Sequence, residues 1–240
     1  MGLSPHAPYS TTADLLKTCG RLARERGWPL TIHLAESRAE FEMFMYQEGP
    51  LWAWLKAQRA PGDCGLGSPV QHLERQGLLG PDCLAVHVNC LWDGDAGILA
   101  RHGVPIVHCP RSHAYFRHER FPSQSLWAAG LNICLGTDSL ASVATPAGVP
   151  HQLSMFSELQ AWCTANPGLP PEVAVRMATV NGAQALNRAG EIGEISPGAA
   201  ADLIAIPFAG PAAAAWEAVT QQVKPVDASL VAGHWLIQPQ

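Results

Sequence analysis

The chain has 240 residues, 48% hydrophobic and only 15% charged, with a net charge of −5. That balance describes a globular chain with a sizeable core and excludes a disordered one. There is no basic run suited to nucleic acid, no apolar stretch long enough to span a membrane, and no basic-then-apolar start of an export signal. The cytoplasm is therefore the expected compartment, and neither nucleic acid nor membrane is an expected partner. Seven cysteines are scattered without a C-x-x-C pair, which reads as reduced and mostly buried thiols.

In chain order, Thr11–Gly27 places Leu15, Leu16, Cys19, Leu22 and Ala23 on one face, starts after Ser/Thr capping candidates and stops at a glycine, so it predicts a helix. The apolar run Pro29–Leu34 predicts a strand. A longer insertion follows, with an aromatic, helix-like stretch from Phe41 to Trp54 and a Gly/Pro-rich loop from Pro61 to Pro69. Strand-like Cys83–Val88, helical Asp93–His102, strand-like Val104–His108, helical Ser123–Ala129 and strand-like Leu131–Leu135 come next. The strand runs are nearly continuous in apolar residues, as parallel strands buried on both faces should be, and the alternation with helices is the rhythm of βα units. Two further helical patterns cover His151–Thr164 and Pro171–Asn187. From Gly190 the texture changes to short β-like segments, Glu191–Ile195, Asp202–Ile206 and Ser229–Ile237, which predict a small β appendage.

Each strand run ends on, or leads to, a residue that chemistry could use: His33, His87, His108 and, after the fourth run, Asp138. In a β/α barrel the C-terminal rim of the strands is where active sites are built. Glu36 lies three residues beyond His33, so that an imidazole can hold a metal while the carboxylate moves protons. Each residue also has a plainer reading. The histidines serve as hydrogen-bonded rim residues, Glu36 as a first-turn acid of the next helix, and Asp138 as the cap of a Thr-Asp-Ser turn. His6, between two prolines in S-P-H-A-P-Y-S, sits in a loop whose pose they restrict.

The order S-P-H-A-P-Y, T-I-H-L-A-E-S, V-H-V-N, V-H-C-P-R-S-H, L-G-T-D-S resembles the amidohydrolase superfamily. It is most similar to the aminohydrolase branch that includes adenosylhomocysteine/methylthioadenosine deaminases, guanine and cytosine deaminases and triazine chlorohydrolases. The tail, A-T-V-N-G-A-Q-A-L-N then G-E-I-S-P-G-A-A-A-D-L-I, is similar to that family's passage from its last helix into a β-sandwich. The resemblance runs from His6 to the C-terminus. It implies an α/β fold: the C-terminal portion of a (β/α)8 TIM barrel over residues 1–189, and C-terminal strands of a small β-sandwich over 190–240. It also implies a divalent metal, zinc with iron as the alternative, held by His33 and Asp138. Glu36 would shuttle a proton to a substrate ring nitrogen, His87 would position the attacking water, and Asp138 would take that water's proton. His6 would touch the substrate, a small heterocycle. The reaction implied is hydrolysis of a non-peptide carbon–nitrogen bond, foremost deamination of a purine- or pyrimidine-like base or nucleoside.

Two departures qualify the pattern. The family's first metal motif, H-x-H, occurs nowhere in this chain, and four convincing strands fall short of the eight in a complete barrel. The expectation is a chain that begins mid-barrel, binds metal weakly, and associates with another copy or with a chain carrying the absent half to cover its open edges. A smaller departure is His113, where family members often carry Asn; with Tyr115, Phe116 and His118 it could stack on or hydrogen-bond a flat heterocycle, or pack as an ordinary rim loop. Three readings stay open: a deaminase, a chlorohydrolase or cyclic-amide hydrolase using the same machinery, and an inactive fragment that acts only with a partner chain.

Overall fold

The computed structural model describes residues 1–145, 148 and 150–239; Gln240, the last residue of the expected appendage, lies outside them. In chain order the elements are α1 (Ala13–Arg26), β1 (Leu30–Leu34), α2 (Arg38–Tyr46), α3 (Gly49–Gln58), α4 (Pro69–Arg75), β2 (Cys83–His87), α5 (Asp95–Arg101), β3 (Ile106–His108), α6 (Pro110–Tyr115), α7 (Ser123–Ala128), β4 (Ile133–Leu135), α8 (Met155–Ala165), α9 (Pro171–Ala178), α10 (Val180–Ala185), β5 (Leu203–Ala205), α11 (Ala215–Thr220), β6 (Ala228–Val231) and β7 (His234–Ile237). Among the described residues no helix is long and apolar enough to cross a membrane. The chain divides into two compact units, one of residues 1–108 and 117–133, the other of residues 109–116 and 134–240.

The first unit is built on a sheet with the order β1-β2-β3-β4. β1 and β2 pair in parallel from Leu30 opposite Cys83 to Leu34 opposite His87, and β2 pairs in parallel with β3. β4 is next to β3, and just before it Asn132 O accepts the amide of Ile106 at 2.9 Å. The N-terminal residues extend the sheet beyond β1: Leu3 bridges to Leu30 in parallel, and His6 O accepts the His33 amide at 2.7 Å. Leu30, Ile32, Leu34, Ala85, Ile106 and Ile133 are buried, which is why these runs read as continuously apolar. α1 begins at Thr12, whose side chain accepts the Leu15 amide, and ends at left-handed Gly27. Its buried stripe is Leu16, Gly20 and Ala23, whereas Leu15 faces outward.

The aromatic stretch after β1 forms two helices instead of one. Gln47 adopts φ 58° and Gly49 φ 86°, a left-handed break between α2 and α3. On the two sides of it, Met43, Phe44, Leu55 and Cys64 form a small core of their own, joined by Tyr9, Leu51 and Trp52. α4 begins at Pro69, the last residue of the Gly/Pro-rich loop, and runs through a segment for which the sequence suggested no element. Ser68 and Gln71 cap it reciprocally and Pro69 starts it, a position that proline tolerates well.

In the second unit, α8 and α9 bury Leu159, Trp162, Ala174 and Met177, and α11 packs on both helices. The pattern Pro171–Asn187 is two helices, broken at Thr179 where φ is −124° and ψ −95°. The C-terminal sheet is antiparallel with the order β5-β6-β7. The expected strand Ser229–Ile237 is a hairpin turning at Ala232–Gly233, both left-handed. Glu191–Ile195 is a set of turns, not a strand: the Glu191 amide bonds back to Arg188 O at 3.0 Å and Gly193 has φ 80°.

His72 in α4 is fully buried, its ring 4.6 Å from that of Phe44. Burial pushes its imidazole down to about 4, against the opposing pull of Asp63. The unfolded chain, with a histidine near 6.5, therefore binds the extra proton between about pH 6.5 and 4 while the folded chain does not. Stability is full above that window and falls as pH drops through it, by on the order of 3 kcal/mol. His72→Leu should flatten this part of the stability–pH curve in denaturant titrations, and an unchanged slope would show that His72 is not its source.

Candidate active site

Four of the residues singled out in the sequence lie within the first unit, at the C-terminal ends of β1 and β2. The His33 ring nitrogen Nδ1 is 3.1 Å from His6 O. A carbonyl can only accept, so Nδ1 carries the proton and Nε2 carries the lone pair, the tautomer that a metal-binding imidazole needs. The His6 ring meets His33 edge-on at 5.2 Å, and the His33 and His87 rings stack at 5.1 Å with an 18° tilt. His87 Nε2 is 3.7 Å from Glu36 Oε1, with the histidine buried and the acid mostly so.

That meeting of His33 and His87 is not what strand pleating alone would give. In the β1–β2 register His87 stands opposite Leu34, while His33 stands opposite Val86, so alternation puts the two histidines on opposite faces. His87 has φ 77° and Val88 φ 51°, both left-handed, and this reversal is what frees the His87 ring from the alternation. Nine non-glycine residues among those described have positive φ. Six of them, His6, Ala35, His87, Val88, Arg117 and Asp138, are residues singled out in the sequence or their immediate neighbours. Such conformations cost on the order of 1–3 kcal/mol each and persist only where the surroundings enforce them.

The enforcing contacts at β1 and β2 are specific. Ala35 O accepts the amides of Asn89 and Cys90, each at 2.9 Å, and Leu34 O accepts that of Val88 at 2.9 Å. Asn89 Nδ2 donates to Glu36 O at 2.9 Å. From α2, the fully buried carboxylate of Glu40 accepts the amides of Ala35 at 3.1 Å and Glu36 at 2.8 Å. Burial pushes the Glu40 carboxyl up to about 8, opposed by these two amide hydrogen bonds. Nothing in the reading of the sequence had marked Glu40. The available signal was S-R-A-E, a helix-start pattern in which the acid three residues after the cap is free to bind backbone amides.

In the second unit, Asp138 has φ 52°, and its Oδ2 accepts hydroxyl hydrogen bonds from Ser112 at 2.6 Å and Ser142 at 2.7 Å. Two hydroxyl donors on one oxygen restrain the position of that carboxylate. His113 is half-buried in α6, next to Ser112, and Tyr115 and Phe116 make an exposed edge-to-face pair at 5.0 Å. His108, also at a strand end, has a different fate: it is buried and its ring stacks on Phe121 at 3.9 Å, as core packing. The donor types available at these positions, imidazole nitrogen and carboxylate oxygen, are those that divalent zinc accepts.

Comparison with known proteins places this geometry. Residues 1–236 match the amidohydrolase family. The chain is 35% identical over 218 residues to a 5-methylthioadenosine/S-adenosylhomocysteine deaminase of Syntrophobacter fumaroxidans, an alignment covering 88% of this chain and 44% of that relative. It thus spans less than half the length of that protein. Among solved structures, it is similar to an adenosine deaminase from Xanthomonas campestris with bound zinc, at a TM-score of 0.79 and 25% identity, over 98% of this chain and 51% of the other. A Helicobacter pylori aminofutalosine deaminase shares the fold at a TM-score of 0.83 and 22% identity, over 98% of this chain and 59% of that one. The βα units with histidines at the ends of their strands, and a sequence match that spans both units, are those of one family: the chain belongs to the amidohydrolases.

Proposed function

We propose that the chain carries the proton-transfer half of a metal-dependent hydrolytic deaminase acting on an adenosine-type nucleoside. The observation that carries this reading is the Glu36–His87 pair beside the stacked His33 ring at the ends of β1 and β2. A deaminase must protonate a ring nitrogen as water attacks the amino-bearing carbon, and a carboxyl that is mostly buried yet solvent-reachable is suited to that transfer. The relative named for 5-methylthioadenosine and S-adenosylhomocysteine supports adenine nucleosides as the substrate class.

In this reading Glu36 gives its proton to the substrate ring nitrogen, and His87, 3.7 Å from Glu36, orients the attacking water. Asp138, held by Ser112 and Ser142, accepts the proton that water loses. His6 and His113 contact the substrate. His33 and Asp138 would hold the metal, zinc with iron as the alternative. When bound, such an ion lowers the pKa of its water toward about 7 and so supplies a nucleophile at neutral pH. The barrel portion is assigned to residues 1–189 and the sandwich portion to 190–240.

Ammonia release from 5′-methylthioadenosine, read beside chloride release from a chlorinated triazine, tests the reaction class. Ammonia alone is expected; chloride alone would move the assignment to dehalogenation. Glu36→Gln should lower deamination by about 10²–10⁴-fold with metal content unchanged, because Glu36 moves protons and does not ligate. Activity within about threefold of the parent, under roughly 1 kcal/mol of barrier, would remove Glu36 from the chemistry.

His33→Ala should instead lose metal first, and activity with it. Elemental analysis after dialysis reads this directly. A His33→Ala protein that retains the parent's metal would place the ligand elsewhere.

A further inference from the structure

We infer that Glu40 is the positioning residue for Glu36: its buried carboxylate clamps the two successive amides that set the direction of the Glu36 side chain. The inference deepens the role proposed for Glu36 and rests on it. Ser37 and Glu40 have the spacing of a capping box, in which the acid would reach back to the amide of the cap residue itself. Ser37 performs its half, accepting the Glu40 amide at 3.2 Å. The Glu40 carboxylate does not return to Ser37. It reaches further upstream and divides its two oxygens between Ala35 and Glu36, Oε1 to the first and Oε2 to the second.

The consequence is geometric. Ala35 is left-handed, at φ 49°, a conformation that an alanine does not hold without support. Its carbonyl is already fixed by Asn89 and Cys90, and the Glu36 carbonyl by the Asn89 side chain. Glu40 supplies the remaining restraint, on the amide side. With it, both peptide groups flanking the Ala35 α-carbon are held, and the one bond from which Glu36 projects toward His87 cannot swing. A helix cap alone would need neither the upstream reach nor the full burial of this acid.

Glu40→Ala and Glu40→Gln test the assignment in the full chain. Hydrogen exchange should quicken at the amides of Ala35 and Glu36 in Glu40→Ala, while those of Ile32 and Ala85 in the strands stay protected. With 5′-methylthioadenosine as probe, kcat should fall about 10- to 100-fold and KM stay within about twofold, because the transfer geometry is lost and substrate contacts are not. Glu40→Gln retains one acceptor oxygen and should recover part of both effects. Adding Glu36→Gln to Glu40→Ala should cost no more than Glu36→Gln alone, since one residue acts through the other. Unchanged exchange at Ala35 and Glu36 overturns the inference, as does faster exchange spread evenly over the strands, or additive losses in the double variant. If the parent releases no ammonia from the probe, the deaminase reading fails, and the exchange pattern still decides whether Glu40 holds the turn. Should Glu40→Ala fail to fold, the Gln variant provides the same comparisons at reduced size.

Discussion

The site depends on a backbone reversal shared by two neighbouring strands. β1 and β2 both end in left-handed residues, Ala35 on one side and His87 with Val88 on the other. At roughly 1–2 kcal/mol for each such residue, the three together would be a serious burden on a domain of marginal stability. They are held because the reversals serve each other: the carbonyls of Leu34 and Ala35 are the acceptors for the amides of Val88, Asn89 and Cys90. Undo one turn and the other loses its partners. The stacking of His33 on His87 and the approach of Glu36 to His87 follow from that mutual lock, not from strand pleating.

A second regularity lies behind the strands. Three acids that are almost wholly shielded from water, Glu40, Asp95 and Glu158, each accept backbone amides in a segment that leaves a strand. Glu40 serves the turn after β1. Asp95 accepts the Trp92 amide at 2.8 Å in the loop after β2, and the Ser68 hydroxyl at 2.7 Å. Glu158 accepts the Arg111 amide at 2.9 Å, at the start of α6, which has no cap of its own from Cys109. Burial raises the carboxyl of each, Glu40 to about 8 and Glu158 to about 7. Buried acids are usually a liability. Here each has taken the place of a solvent that could not reach those amides.

Much of this was legible in the sequence, and the reasons differ by residue. The strands were visible because burial on both faces leaves no polar interruption in runs such as Cys83–Val88. His33, Glu36, His87 and Asp138 were visible because their spacing follows the strand ends. The short helices α4, α6 and α11 were not: α5 and α7 are as short but are each closed by a glycine before the next strand, whereas the prolines at the starts of α4 and α6 read equally well as loop. Glu191–Ile195 looked like strand from its composition but turns at Gly193 instead. Glu40 escaped because its role lies in where a flexible side chain reaches, and a helix-start pattern fits either destination. The fate of His108 was equally hidden: only the folded chain brings Phe121 against its ring.

The pairing of the two strand ends also bears on how such a chain can diverge. The loop from Leu34 to Glu40 and the loop from His87 to Cys90 are joined at four hydrogen bonds, three between backbone groups and one from the Asn89 side chain. An inserted residue in either loop would shift every donor past its acceptor, so neither length can drift without the other. Among the described residues the connection between α3 and α4, from Arg59 to Gly67, is bonded to the neighbouring helices α2 and α4 and not to a strand end, and loops of this kind tolerate insertions. Variation in length should therefore accumulate there, while the two short turns are inherited as a single piece.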